Sequence, residues 1–170
     1  MTGSRLAVLA LGSNLGDRLG TLQGAVDALA GAPGLHLLAV SPVYRTAPVG
    51  GPEQPDYLNA VVTVATALPS REVLARGHDV EQAFGRVREE VWGPRTLDVD
   101  VIVCGGEVSD DPALTLPHPR AHERAFVLAP WHDVEPDATI PGRGRVADLL
   151  RAVGLAGVRR LGDARLVLPA

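Results

Sequence analysis

Lysine is missing from this chain: all 16 of its basic residues are arginine. That absence removes a phosphate-loop lysine, a Schiff-base lysine and a lysine nucleophile, so any fixed cation must be an arginine or a metal. High-GC coding produces the same bias, and the chemical exclusion holds whatever its origin. Cysteine is nearly absent as well. Cys104 stands alone, which excludes an internal disulfide framework and a cysteine-rich metal site. Aromatic residues are scarce, two each of Trp, Tyr and Phe. Long apolar runs are lacking: the stretch Leu6 to Leu11 ends at Gly12, too short for a signal peptide or a membrane helix, and a cytoplasmic protein without membrane contact is expected. Positive charge is not in excess either. A net charge of -4 and a pI near 5.7 argue against a nucleic-acid binder, which needs a basic field to meet the phosphate backbone.

What is present fits one soluble domain. A length of 170 residues with 46% hydrophobic and 21% charged content suits a single globular unit over 1–170, and monomer is the default from size. The most informative stretch is WGPRTLDVDVIV, Trp92 to Val103. On a strand the side chains alternate, so Asp98 and Asp100 project to one face while Leu97, Val99 and Val101 project to the other. Paired carboxylates on an apolar strand repel unless a cation or proton lies between them. Hard oxygen ligands favour Mg²⁺ or Mn²⁺. Gly93 and Pro94 make a stiff turn and Arg95 adds a fixed positive charge, and metal with arginine points to phosphate. The bland alternative for the pair is a salt-bridged couple on an exposed edge strand. The five histidines, His36, His78, His118, His122 and His132, have no zinc-like spacing, and Pro119 interrupts the His118/His122 pair.

Read coarsely, Leu6 to Leu11 is a buried strand, Gly12 to Gly16 a loop, and Asp17 the N-cap of a helix whose stripe is Leu19, Leu22, Val26 and Leu29. Gly31, Pro33 and Gly34 end it. His36 to Tyr44 and Tyr57 to Val64 read as two strands around a Gly- and Pro-rich loop. A second helix runs from Ser70 to Phe84, capped by Ser70, with Glu72 and Glu81 along it. The Asp98 strand follows. The order βαββαβ predicts an α+β, ferredoxin-like sandwich. From Gly105 on lies a helical and loop extension, with short helices near Arg124 to His132 and Val146 to Val153. The tail after Gly154 carries weak signals and receives no role.

Six blocks, LGSNLGDR (from Leu11), YRTAPVG (from Tyr44), QPDYLNAV (from Gln54), GRVR (from Gly85), GPRTLDVD (from Gly93) and LPHPRAHERAFVL (from Leu116), together resemble the 6-hydroxymethyl-7,8-dihydropterin pyrophosphokinase family of folate biosynthesis. Their order and spacing are the family's over roughly nine tenths of the chain, a specific match of motifs. The resemblance implies transfer of the β,γ-diphosphoryl unit of ATP to a pterin hydroxymethyl group, with AMP leaving.

It also implies residue roles. Asp98 and Asp100 would bridge two Mg²⁺ ions, with ATP as co-substrate. Arg86 and Arg95 would act on the transferring phosphates beside them. His78, Glu81, Arg88, Trp92, Arg95, Val101, Thr115, His118 and Arg124 would bind ATP, the arginines as planar donors that keep their protons. His118 would donate to the phosphates whether neutral or charged. Trp92 either covers the nucleotide or anchors its loop. Tyr57 and Phe126 would sandwich the pterin, Asn59 would pair with its pyrimidine edge, and Thr46, Ala47, Val49 and Asp98 would complete that subsite. For Phe126, flanked by Ala125, Val127 and Leu128, a core role is the rival. The loops Gly12 to Gly16, Thr46 to Asp56 and Gly85 to Gly93 are the candidates to close and exclude water.

Departures from the family pattern are a loop from Gly85 to Trp92 one residue shorter than in well-known members, Val91 for a charged residue, His78 for glutamine, Ala113 for arginine and Pro119 for tyrosine. They bear on nucleotide affinity more than on reaction type. Two rivals from other classes are a metal-dependent phosphohydrolase or nucleotide-sugar transferase using the same acidic pair, and a noncatalytic ferredoxin-like ligand-binding module. Release of AMP only when a hydroxymethylpterin is present would separate the kinase from both.

Overall fold

Near-continuous burial of the two longest strands, covered on both faces, sets the architecture. The computed structural model describes residues 3–47, 55–85 and 97–169. Its elements are β1 (Arg5–Ser13), α1 (Arg18–Ala30), β2 (His36–Val40), β3 (Tyr44–Thr46), β4 (Tyr57–Thr66), α2 (Ser70–Gly85), β5 (Asp98–Cys104), β6 (Ser109–Asp111), β7 (Leu114–Leu116), a 3-10 turn (Ala121–Glu123), α3 (Ala125–Val134), β8 (Thr139–Ile140), β9 (Gly144–Arg145), α4 (Val146–Val153) and β10 (Val158–Arg160). Five strands join in the order β10-β3-β4-β1-β5, and β2 pairs with β4 beside β3; every pairing is antiparallel. The result is a mixed α/β fold around one antiparallel sheet. No helix among the described residues is long and apolar enough to cross a membrane.

Each face of the sheet has its own helices. Ala7, Leu9 and Leu11 of β1 and Val62 and Val64 of β4 bury against Leu22, Val26 and Leu29 of α1 and Val73 and Val80 of α2. The opposite face sets Val8, Ala10, Val61 and Ile102 against Val127, Leu128 and Trp131 of α3 and Val146 of α4. The period-2 alternation of β1 thus supplies both cores from one strand. Trp131, 1% exposed, donates its indole N–H to Glu135 at 2.8 Å, satisfying its polar end while its ring fills the second core.

Several expectations meet a correction here. The loop placed at Gly12 starts later, because Gly12 and Ser13 still belong to β1. The strand read from His36 to Tyr44 is two strands, broken at Ser41, Pro42 and Val43. Ser41 N–H donates to the Val61 carbonyl at 2.9 Å, yet Val61 N–H donates back to the Ser41 hydroxyl at 2.8 Å instead of to a carbonyl. The side chain takes over a ladder position, and Pro42 has no N–H with which to resume it. Asp17 does cap α1, accepting from Gly20 N–H at 3.0 Å. Ser70 does not cap α2 with its hydroxyl, which donates to Glu107 at 2.7 Å, while the Pro69 carbonyl accepts from Glu72 and Val73. The extension beyond Gly105 also holds two small antiparallel ribbons, β6-β7 and β8-β9. The tail to which no role was given supplies β10, the edge strand next to β3.

Candidate active site

Register brings residues far apart in sequence into one row. Asp98 of β5 pairs with Gly12, Gly12 with Asn59, Asn59 with Tyr44, and Tyr44 with Arg160. Paired residues of neighbouring strands share a face, so this rung crosses the sheet from one edge to the other on the side covered by α3 and α4. The next rung towards the strand interior pairs Asp100 with Ala10 and Ala10 with Val61. The helices cover Val61 but stop short of Gly12. A cleft of about 680 Å³ opens there, lined by Ala10, Gly12, Asp98, Asp100, Tyr57, Asn59, Thr46 and Ala47 from the sheet side and by Arg120, Glu123, Arg124 and Phe126 from the α3 side.

Gly12 is small for a reason. A Cβ there would stand 3.0 Å from Asn59 Nδ2 and 3.6 Å from the Tyr57 ring, so glycine lets Asn59 lie over the strand without giving way. Asn59 is 7% exposed and Thr46 8%. Asn59 Oδ1 and Thr46 Oγ1 are both buried with no hydrogen-bond partner among the described residues, as is Ser13 Oγ on β1. Buried acceptors normally find partners. Two such atoms, Asn59 Oδ1 and Thr46 Oγ1, belong to residues that line the cleft.

A β-bulge shapes the other end. Between Val8 and Leu9 the register shifts, so that Val8 pairs with Val103 and Leu9 with Val101. Ile102 is the extra residue, and its carbonyl accepts from His118 N–H at 2.8 Å. The bulge thereby ties the segment after β7 to β5, two residues from Asp100. His118 Nδ1 accepts from Arg120 N–H at 3.2 Å, leaving Nε2 as the donor of the neutral ring. Burial pushes His118 below the usual histidine range; Asp100 opposes this, and Arg124 and Arg120 reinforce it. The imidazole is therefore the neutral form near pH 7. Arg124 is drawn down by burial and held up chiefly by Asp100. Its guanidinium lies 5.5 Å from the centre of the Phe126 ring, within cation–π range.

Asp98 and Asp100 are half-buried while Val99 and Val101, pointing the other way, are buried. The alternation read from the sequence is thus the observed one. Among the described residues no group of three or more His, Cys, Asp or Glu gathers at one point. Two carboxylates facing a polar cleft are an all-oxygen, hard donor set, which fits Mg²⁺ completed by phosphate oxygens and water. The Glu81 carboxylate accepts from Val99 N–H at 2.8 Å, holding the outer edge of β5 between the two aspartates. His78 is an exposed residue of α2. Val101 is in the core, and the Thr115 hydroxyl donates to the Asp111 carbonyl at 3.1 Å. The cleft lining brings together Asp98, Asp100, Arg124, Thr46, Ala47, Tyr57, Asn59 and Phe126 and does not include His78, Glu81, Val101, Thr115 or His118. Val49, Arg86, Arg88, Trp92 and Arg95 lie outside the described residues.

Sequence reasoning missed several contributors, among them Gly12, Arg120 and the tail. Gly12 stood in a quoted block, but nothing local marks it as the neighbour of Asn59. Arg120 has a usable signal in its place between His118 and Arg124. The tail residues Val153, Gly154, Ala156, Gly157 and Val158 also line the cleft, and no pattern in them announces it.

A sequence profile of the family described as 7,8-dihydro-6-hydroxymethylpterin-pyrophosphokinase (HPPK) matches residues 8–136. A 2-amino-4-hydroxy-6-hydroxymethyldihydropteridine pyrophosphokinase of Methylorubrum extorquens is 43% identical over 155 residues, covering 91% of this chain and 98% of the relative. The Mycobacterium leprae protein of the same name is 49% identical over 158 residues, 85% of this chain and 81% of its own, and that of Pseudomonas aeruginosa 40% identical over 153, at 90% and 94%. Among solved structures, a Plasmodium falciparum HPPK-DHPS triple mutant with pteroate superposes with a TM-score of 0.70 at 13% identity, covering 96% of this chain and 48% of that one. An HPPK-DHPS in complex with substrates gives 0.71 at 11%, covering 94% and 47%. This chain spans about half the length of those two solved chains, and a likeness at such identity shows the fold.

Proposed function

From the premise that the chain belongs to the 7,8-dihydro-6-hydroxymethylpterin-pyrophosphokinase family, we propose where each substrate sits and which residues act. The enzyme transfers the pyrophosphoryl group of ATP to 6-hydroxymethyl-7,8-dihydropterin in folate biosynthesis. The pterin takes the half of the cleft under Gly12, its ring between Tyr57 and Phe126 and its polar edge against Asn59 and Thr46. The observation that carries this placement is the pair of buried, unpartnered acceptors Asn59 Oδ1 and Thr46 Oγ1, which ring N–H and amino groups satisfy. Ala47 flanks the same ring, and Val49 is assigned there from its motif.

The triphosphate takes the half between Asp98, Asp100 and Arg124. In the reaction the acceptor hydroxyl oxygen forms a bond to the β-phosphorus, the bond from that phosphorus to the α-phosphate oxygen breaks, AMP leaves and the hydroxyl proton is lost. Asp98 and Asp100 would hold two Mg²⁺ ions, which when bound supply charge neutralisation and alignment. Arg124 donates to phosphate oxygens as a permanent cation. His118, neutral with Nε2–H as donor, adds a hydrogen bond without a charge to desolvate. Arg86, Arg88, Arg95 and Trp92 are assigned to the phosphates and nucleotide from their motifs, as are His78, Glu81, Val101 and Thr115; Glu81 also fixes β5. The sheet order β5-β1-β4 flanked by β2 and β3 supports a ferredoxin-like arrangement, and a single cytoplasmic, monomeric domain with no nucleic-acid partner completes the reading.

The test is AMP release from MgATP by purified protein with and without 6-hydroxymethyl-7,8-dihydropterin. AMP is expected only with the pterin. ADP or inorganic phosphate in its place, or no turnover, overturns the reading.

A further inference from the structure

The C-terminal tail is built into the acceptor half of the cleft. Val153, Gly154, Ala156, Gly157 and Val158 share its lining with Thr46, Tyr57 and Asn59. Strand β10 pairs Val158 with Thr46 and Arg160 with Tyr44, and Ala47 N–H donates to the Gly157 carbonyl at 3.3 Å. The same lining includes Asp98 and Asp100, but the backbone pairing of β10 and the Ala47–Gly157 bond are made to the segment assigned to the pterin. The lining side chains are small, and Gly157, at φ +76°, turns where a larger residue is strained.

A three-residue edge strand is weakly held by its ladder alone, yet the tail has a second attachment. Arg160 Nη2 donates to Asp133 Oδ1 at 2.7 Å, and the Tyr44 hydroxyl donates to Asp133 Oδ2 at 2.5 Å. The guanidinium also lies 5.9 Å from the centre of the Tyr44 ring. Burial and the Asp133 hydrogen bond push the Tyr44 hydroxyl above its usual range, so it stays a donor throughout neutral pH. One carboxylate on α3 thus fastens β3 and β10 together, in the same rung as Asn59.

We propose that residues 153–158 form the acceptor-side wall, limiting the size of the flat heterobicycle admitted, and that Arg160, Asp133 and Tyr44 are positioning residues that hold this wall. The inference rests on the pterin placement above and extends it to a segment with no assigned function. Ala156 is exposed and lines the cleft, so a bulky side chain there is accommodated outside the core.

Steady-state kinetics of the full-length enzyme in both substrates test it. Ala156→Trp should raise KM for 6-hydroxymethyl-7,8-dihydropterin roughly tenfold or more, the scale of a misfitting pocket group, with KM for ATP within about twofold. Arg160→Ala should raise the pterin KM severalfold and Arg160→Lys should restore most of it. Asn59→Ala serves as the reference variant. If it weakens pterin binding while Ala156→Trp and Arg160→Ala do not, the wall is refuted and the pterin placement stands. If Asn59→Ala leaves the pterin KM unchanged, the placement itself fails. Equal rises of both KM values in the tail variants reduce the tail to a structural strand and also overturn the proposal.

Discussion

The two faces of the sheet are made by the same strands and end in opposite states. On the face under α1 and α2, β1 contributes Ala7, Leu9 and Leu11, each at most 1% exposed. On the other face it contributes Val8, Ala10 and Gly12, a series that shrinks toward the open end. Large residues close one face, and the taper to glycine leaves the other open beyond the end of α3. Catalytic space in this fold therefore comes from side-chain size along one strand as much as from loops. The strand's two-residue period sorts the roles: odd positions of β1 serve the first core, while the even positions begin in the second core at Val8 and reach the site at Gly12.

Asp98→Ala should break the open face hardest. Loss of the carboxylate that would hold the cation is expected to lower kcat about 10²- to 10³-fold or more with little change in melting temperature. A rate near wild type would remove the metal role. Asn59→Ala deletes the unpartnered acceptor and should raise the pterin KM about 10- to 100-fold with ATP nearly unaffected, since discrimination by a buried hydrogen bond is worth about 1–3 kcal/mol.

The closed face should show the reverse pattern. Leu22→Ala, in a fully buried position, is expected to cost about 2–5 kcal/mol by calorimetry. Its kcat, measured well below the lowered melting temperature, should stay near wild type. A kinetic defect as large as that of Asp98→Ala would erase the distinction between the faces. Gly12→Ala sits on the boundary: the added methyl at 3.0 Å from Asn59 Nδ2 should raise the pterin KM a few fold, and no effect would show that Asn59 moves aside without cost.

The smallest effect concerns the rim of the closed face, where Glu107 joins Ser70 of α2 to Arg5 of β1. The Ser70 hydroxyl, aided by Arg5, holds Glu107 below the usual glutamate range. A carboxylate depressed on folding stabilises above its unfolded pKa, and that contribution fades as pH falls through the folded value. Glu107→Gln should therefore lower stability at pH 7 by at most about 1 kcal/mol, given partial exposure and screening. The gap in melting temperature between the two proteins should shrink as the pH drops below the usual glutamate range.

Much of this was legible in the sequence where a local rule decides. The i, i+2 spacing of Asp98 and Asp100 fixes their common face, and Asp17 before a helical stripe fixes the start of α1. Reading failed where one side chain replaced a backbone partner: Ser41 standing in for a carbonyl splits the second strand, and the Ser70 hydroxyl leaves its helix for Glu107. Strand β10 escaped because two of its three residues are arginines and its pairing is set by distant Tyr44 and Asp133. The motif around Glu81 carries no trace of the β5 amide that its carboxylate binds. The pterin subsite residues Tyr57, Asn59, Thr46 and Phe126 were named from motif resemblance, and the register then gave a physical reason for their proximity.

The rung Arg160–Tyr44–Asn59–Gly12–Asp98 has a consequence for how the molecule comes into being. Its members are scattered from near the start of the chain to near its end, and each belongs to a different strand. No fragment and no partly zippered sheet contains the site, so ligand affinity arrives only with the last pairing. Long-range closures of this kind are slow compared with helix formation. During refolding, helical signal should return ahead of any ability to hold the pterin, and the enzyme passes through its vulnerable stages without a substrate to shelter it.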